Sequence, residues 1–206
     1  MLYNVGMTQA NSVASSGSAR ERILATARDL FYRQGYNATG INEIIEKSEV
    51  AKATFYAHFP AKDDLCLAYL RELKHQELEF IETAISAAKD PVGRFLAVID
   101  SLGPWSKETN YRGCAFMNIA SEIPDPSSPL RREGQVLYDG IRSRVGTLAA
   151  EMIASDRKRF GKLDARKLAD AYMIVFSGCA AAVGIYHDIT PVRRASDLIR
   201  GLIGLE

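Results

Sequence analysis

The chain predicts an all-α fold in two parts. Apolar residues recur at helical spacing almost throughout, recognisable helix-start residues precede those runs, and no stretch alternates apolar with polar residues as a half-buried strand would. The first helix is marked by Ile23, Leu24, Ala27, Leu30 and Phe31, which share one face, and Gly35 ends it as a natural C-terminal cap. Before it, residues 1–19 are rich in Ser, Asn, Gly and Ala without apolar period, and are expected to form a disordered arm. Thr39 is expected to cap a short second helix carrying Ile41, Ile44 and Ile45, with Glu43 in its first turn where negative charge suits the helix dipole. After an interruption over 48–51, a third short helix at about 52–59 buries Phe55 and Phe59 and turns Thr54, Tyr56 and His58 elsewhere; Pro60 stops it.

Beyond this, helices are expected over 63–89, 92–102, roughly 113–122, 129–160, 164–187 and 191–205. Asp90-Pro91, Asp164 and Thr190-Pro191 each place a capping residue before a helix start, and the prolines between 123 and 129 mark a loop. The architecture is then a small three-helix unit followed by a bundle of about six helices.

Composition narrows the function. At 206 residues the chain can bury a core without staples, and it fits a small domain fused to a larger one. Cys66, Cys114 and Cys179 form no CxxC pair, and no clustered histidines supply metal ligands, so reduced thiols, a cytoplasmic location and no bound metal or cofactor are expected. No apolar run is expected to approach the roughly 20 residues that span a bilayer, and no signal peptide is read at the N-terminus, so no membrane partner is expected. No GxSxG, HExxH or glycine-rich phosphate loop occurs, and a thiol enzyme pairing Cys114 or Cys179 with His187 has little support, so no catalytic residue is assigned. Net charge is only +1, and the seven basic and seven acidic residues between Arg20 and Asp64 cancel. DNA binding must therefore rest on where charges stand.

Three helices of which the last two are short and joined by a tight turn match a DNA-reading helix-turn-helix, whose second member enters the major groove. The stretch TGINEIIEKSEVAKATFYAHFPAKDDL, from Thr39 to Leu65, carries buried isoleucines, Val50 after the turn, a Thr54-Phe55-Tyr56-x-His58-Phe59 core and a Phe59-x-x-Lys62-x-x-Leu65 exit. In these features it resembles the tetracycline-repressor-like (TetR) family of transcriptional regulators. The resemblance implies a DNA-binding domain over 20–65 and an effector-binding and dimerisation domain over 66–206. It also implies Thr39, Lys52, Ala53, Thr54, Tyr56, His58 and Lys62 as DNA-contacting residues, and a double-stranded operator, a small-molecule effector and a second copy of the chain as partners. Two positions depart from the family pattern. Glu49 stands where a glycine is common and then needs a positive φ; Ala51 replaces a serine and removes a side-chain cap worth about 1 kcal/mol.

The second domain exceeds what holding a DNA reader requires. Trp105, Phe116, Asn118, Glu122, Tyr138, Tyr172 and Phe176 offer the aromatic surface and few polar groups that line small-molecule sites, and are the candidate effector contacts; Asn118 and Glu122 lie four apart on one helix face, where a structural polar network is the competing reading. The small residues over 177–184 and the amphipathic last helix point to a dimer interface through Ala181, Val183, Leu198, Ile199 and Leu202. The resulting expectation is a repressor released from a palindromic operator by an apolar or aromatic effector, with a thiol-based redox trigger as the alternative.

Overall fold

The computed structural model describes residues 17–205. Among them the chain forms eleven helices and no strand: α1 Ala19–Gln34, α2 Ile41–Lys47, α3 Lys52–His58, α4 Lys62–Ala87, α5 Pro91–Asp100, α6 Leu102–Glu108, α7 Ala115–Glu122, α8 Pro129–Ser155, α9 Arg157–Phe160, α10 Ala165–Tyr186 and α11 Thr190–Leu202. They sort into two compact units. One holds the described chain up to His75 together with Ala115–Gly134, and the other holds Gln76–Cys114 and the chain from Gln135 onward. The first unit thus contains α1 to α3, α7 and the opening residues of α4 and α8.

Local chemistry explains most boundaries. Ser18 accepts a hydrogen bond from the Glu21 amide while the Glu21 carboxylate accepts from the Ser18 amide, a capping box that starts α1 at Ala19. That start falls inside the arm expected over 1–19, of which residues 1–16 lie outside the described residues. Gly35, at φ +95°, ends the helix. Thr39 does not cap α2. The N-cap is Gly40, without a side-chain bond, and the buried Thr39 hydroxyl donates instead to the Gly35 carbonyl at 2.6 Å. An unsatisfied carbonyl at the end of α1 lies in reach and takes the donor.

Asp90, Asp156 and Asp164 cap α5, α9 and α10 through their carboxylates. The cap at Asp156 breaks the helix expected over 129–160, because its side chain bonds the Arg159 amide and starts a new turn. Helix α6 starts at Leu102, where the helix expected over 92–102 ends, and runs on to Glu108, where no helix is expected; Pro104 lies in its first turn, where a missing N–H removes no helical hydrogen bond.

The turn between α2 and α3 behaves as the two departures predict. Glu49 stands at φ +54°, and Ala51 is the N-cap of α3 with no side-chain bond to give. The turn is held by Arg22, whose Nη2 donates to the Glu49 carbonyl at 3.3 Å, and by the buried Ser48, whose hydroxyl donates to the Ile45 carbonyl at 3.3 Å.

In the first unit α1 packs on α2 and α3 around Ile23, Ala27, Phe31, Ile44, Phe55 and Phe59. In the second, α11 packs on α5 and α10, burying Phe95, Ile99, Tyr172, Val183 and Ile199. Tyr172 is wedged into α5: its hydroxyl accepts from the Ile99 amide at 2.7 Å and donates to the Phe95 carbonyl at 3.0 Å, bridging two groups that are direct partners in an undisturbed helix. Burial holds this phenol well above its ordinary pKa, so it keeps the proton it donates.

Helix α10 overturns one expectation. Its 22 residues are long and apolar enough by length and composition to cross a membrane, and part of that run is buried inside the protein. The run is apolar on both faces. One face carries Tyr172, Met173, Phe176 and Val183 into the second unit's core, and the other leaves Ile174 and Ile185 exposed.

Three stability outcomes follow from these placements. Tyr172→Phe removes the bridging hydroxyl while leaving Phe95 and Ile99 able to bond each other, so it should cost about 1 kcal/mol in urea unfolding with an unchanged m-value. Glu49→Gly should raise stability by about 1 kcal/mol by relieving the left-handed backbone, and Ala51→Ser by about 0.5–1 kcal/mol by supplying the missing cap. A lower midpoint for either of the last two would contradict the geometry given for the turn.

Candidate nucleic-acid interface

Helix α3 is seven residues long, too short to persist alone, so its position is set by what it buries. Phe55 is fully buried and Phe59 nearly so, their ring centroids 6.4 Å apart, and the Tyr56 ring meets Phe55 edge-on at 5.3 Å. With that side fixed inward, the opposite side exposes Lys52, Ala53, Tyr56 and His58, with Thr54 half-buried. Tyr56 is 41% exposed, unusual for so large a ring. The face therefore offers an ammonium, a phenol, an imidazole and a threonine hydroxyl on one rigid element, the donor set that bonds phosphate oxygens and base edges.

The remaining sequence-expected contacts stand elsewhere. Thr39 is 1% exposed and its hydroxyl is bonded internally, so it leaves the contact face. The half-buried Lys62 donates to the Tyr36 and Thr39 carbonyls at 3.0 and 3.2 Å and lies 4.2 Å over the Tyr36 ring, where it works as a strut. Its ammonium has a third N–H beyond these two bonds. Arg20, which sequence reasoning did not single out, places its guanidinium 5.5 Å over the Phe59 ring at the end of α3. Nothing in local spacing marks that contact, since it joins the first turn of α1 to a residue far along the chain. Other charges of this unit are spent on each other: Arg33 with Asp29, Lys47 with Glu43, and Arg28 with Glu72.

The candidate effector residues are divided between the units. Phe116, Asn118 and Glu122 belong to the first, and Trp105, Tyr138, Tyr172 and Phe176 to the second. Glu122 takes the structural role: its carboxylate accepts from the Tyr36 and Asn37 amides at 3.2 and 2.7 Å. The Tyr172 hydroxyl is likewise committed to α5. In the second unit the Tyr138 and Phe176 rings meet edge-on at 6.4 Å, and the Tyr138 hydroxyl donates to the Cys114 sulfur at 3.5 Å. Burial pushes the Tyr138 phenol above its ordinary range.

The residues expected at a dimer interface also separate. Val183 and Ile199 are fully buried inside the second unit, because the helical phase turns them toward the core. Ala181, Leu198 and Leu202 are exposed, and with them Ile174 and Ile185, at 77% and 81% exposure. Ile174, Gly178, Ala181 and Ile185 follow one another at helical spacing along the outer side of α10. The small residues over 177–184 serve two purposes. A β-carbon at Gly184 would come 3.4 Å from the Arg112 carbonyl, so that glycine admits the 112–113 backbone, whereas Gly178 faces open space.

Comparison with known proteins agrees with this geometry. Residues 23–69 match the family model of bacterial regulatory proteins of the tetR family. The chain is 34% identical over 126 residues to the HTH-type transcriptional regulator LmrA of Bacillus subtilis, covering 60% of this chain and 67% of that one. It is 28% identical over 135 residues to the HTH-type transcriptional repressor NemR of Escherichia coli, covering 63% and 65%. The matched stretches thus span about two thirds of these curated relatives. Among solved structures, SCO4454, a TetR-family transcriptional regulator from Streptomyces coelicolor, superposes with a TM-score of 0.81 at 28% identity, over 90% of this chain and 94% of the other. With its recognition helix inside the matched segment and its fold shared over nearly its full length, the chain belongs to the TetR family of helix-turn-helix transcriptional regulators.

Proposed function

We propose that this protein is a cytoplasmic repressor that binds a palindromic duplex operator as a homodimer and is released by a small apolar or aromatic molecule. The exposed side of α3 carries the reading: Lys52, Tyr56 and His58 are held outward by two buried phenylalanines on a helix of the kind that docks in the major groove. Thr54 and Ala53 complete the face, and Arg20 extends it. Because charges in this unit nearly balance, affinity comes from a few placed contacts made by two copies rather than from a broad positive field.

The outer side of α10 and α11 supports the dimer. Ile174, Ala181, Ile185, Leu198 and Leu202 present apolar surface that a monomer leaves in water, and an isologous contact between two such helix pairs removes it. For the effector, Trp105, Tyr138 and Phe176 remain the aromatic candidates in the second unit, where the Tyr138 and Phe176 rings already meet edge-on. A thiol trigger at Cys179 gains no support from burial, which pushes that thiol up to about 11, so it stays protonated at neutral pH.

Duplexes selected by the protein from a random-sequence pool should share a two-fold repeat, and log affinity for them should fall linearly with log salt in a gel-shift titration; no selected sequence, or a flat salt response, would contradict the proposal. In sedimentation velocity Ile185→Arg or Ala181→Arg should convert dimer to monomer with helicity retained. A dimer surviving both changes would place the interface elsewhere.

A further inference from the structure

The loop 35–39, in the connection between α1 and α2, is gripped from two sides, both within the first unit. Lys62 takes its carbonyls at Tyr36 and Thr39. Glu122, the last residue of α7, takes its amides: one carboxylate oxygen accepts from Tyr36 N at 3.2 Å and the other from Asn37 N at 2.7 Å, while the Asn37 side-chain amide donates back to the Glu122 carbonyl at 3.1 Å. Gly35, with its positive φ, turns these successive amides to one side as a concave pair of donors, a geometry suited to an anion. A β-carbon at position 35 would stand 2.6 Å from the Glu122 carboxylate, so the grip requires glycine there for space as well as for backbone. The end of α7 is itself fixed, since Arg131 donates to the Ala120 and Ile123 carbonyls at 2.8 and 2.9 Å. In the chain α7 follows directly on Cys114, where the second unit's first segment ends.

We propose that Glu122 is a positioning residue for DNA binding. Through its carboxylate, α7 sets the loop 35–39, and the loop sets how α2 and α3 stand on α1. A shift of α7 is then passed to the recognition helix as a change in DNA affinity. The proposal rests on the DNA-binding, ligand-released reading given above and names the contact by which that release reaches the head. Charge matters as well as size, because each carboxylate oxygen accepts one amide, whereas a glutamine of the same shape offers one acceptor and turns an NH₂ toward the second donor.

The test compares wild type, Glu122→Gln and Glu122→Ala by amide hydrogen exchange at Tyr36 and Asn37 and by affinity for duplexes that the wild type selects from a random-sequence pool. Both amides should exchange about ten- to a hundredfold faster in the alanine variant, with the glutamine variant between, and exchange in the α10 core should be unchanged. DNA affinity should fall in the same order, by about tenfold or more for alanine. If the alanine variant fails to fold, the glutamine variant carries the comparison. Unchanged exchange at the two amides overturns the grip, and faster exchange with wild-type DNA affinity overturns the positioning role alone. A wild type that selects no duplex overturns the DNA-binding reading, and the positioning role with it, while the exchange data still report the grip itself.

Discussion

Satisfaction of the backbone in the six-residue connection between α1 and α2 is the constraint on which the reading head depends. A helix end leaves carbonyls without partners, and a tight change of direction leaves amides without them. Here the Gly35 carbonyl is met by Thr39, the Tyr36 and Thr39 carbonyls by Lys62, and the Tyr36 and Asn37 amides by Glu122. Glu122 comes from a helix about 85 residues further along the chain. The loop is therefore an ordered joint with charged clamps on both sides, and the angle between α1 and the two short helices is fixed by groups outside those helices.

That arrangement makes sense of a turn that is locally poor. A non-glycine residue in the left-handed region and an uncapped seven-residue helix each cost about 1 kcal/mol, and neither α2 nor α3 would persist in isolation. Burial of Ile44, Phe55 and Phe59 against α1 offsets the loss, since each large side chain removed from water contributes roughly 1.5–3 kcal/mol. The Arg22 bond to the Glu49 carbonyl ties the strained residue back to α1. Local compromise is tolerated because tertiary packing, not helix propensity, holds the recognition helix.

The second unit divides its apolar surface between two uses. In α10 one face fills the core and the other remains apolar in water, which is why the helix is apolar enough along its length to match a bilayer span. Tyr172 shows the same economy within the core, where one hydroxyl satisfies a donor and an acceptor of α5 and fixes the two helices in register. Side chains suited by chemistry to ligand contact, Tyr172 and Glu122 among them, make internal hydrogen bonds that support the fold.

By itself the sequence determined the helical class, most boundaries, the helix-turn-helix and its family, and even the strained Glu49 and the uncapped Ala51, because each depends on periodicity, a capping residue or a backbone preference within a few positions. Only the tertiary structure decided which polar groups already had partners within the fold. Lys62 and Glu122 carry side chains suited to DNA or ligand, yet their partners lie in a loop far away in sequence, where no spacing rule reveals a bond; Thr39 meets a carbonyl only four residues back, which the turn at Gly35 brings within its reach. The same holds for Val183 and Ile199 against Ile174 and Ile185: all four are apolar positions of α10 and α11, and which stripe faces inward is set by what packs against it. Local order is written in short-range sterics and hydrogen bonding, whereas the occupancy of a side chain is a property of the assembled core.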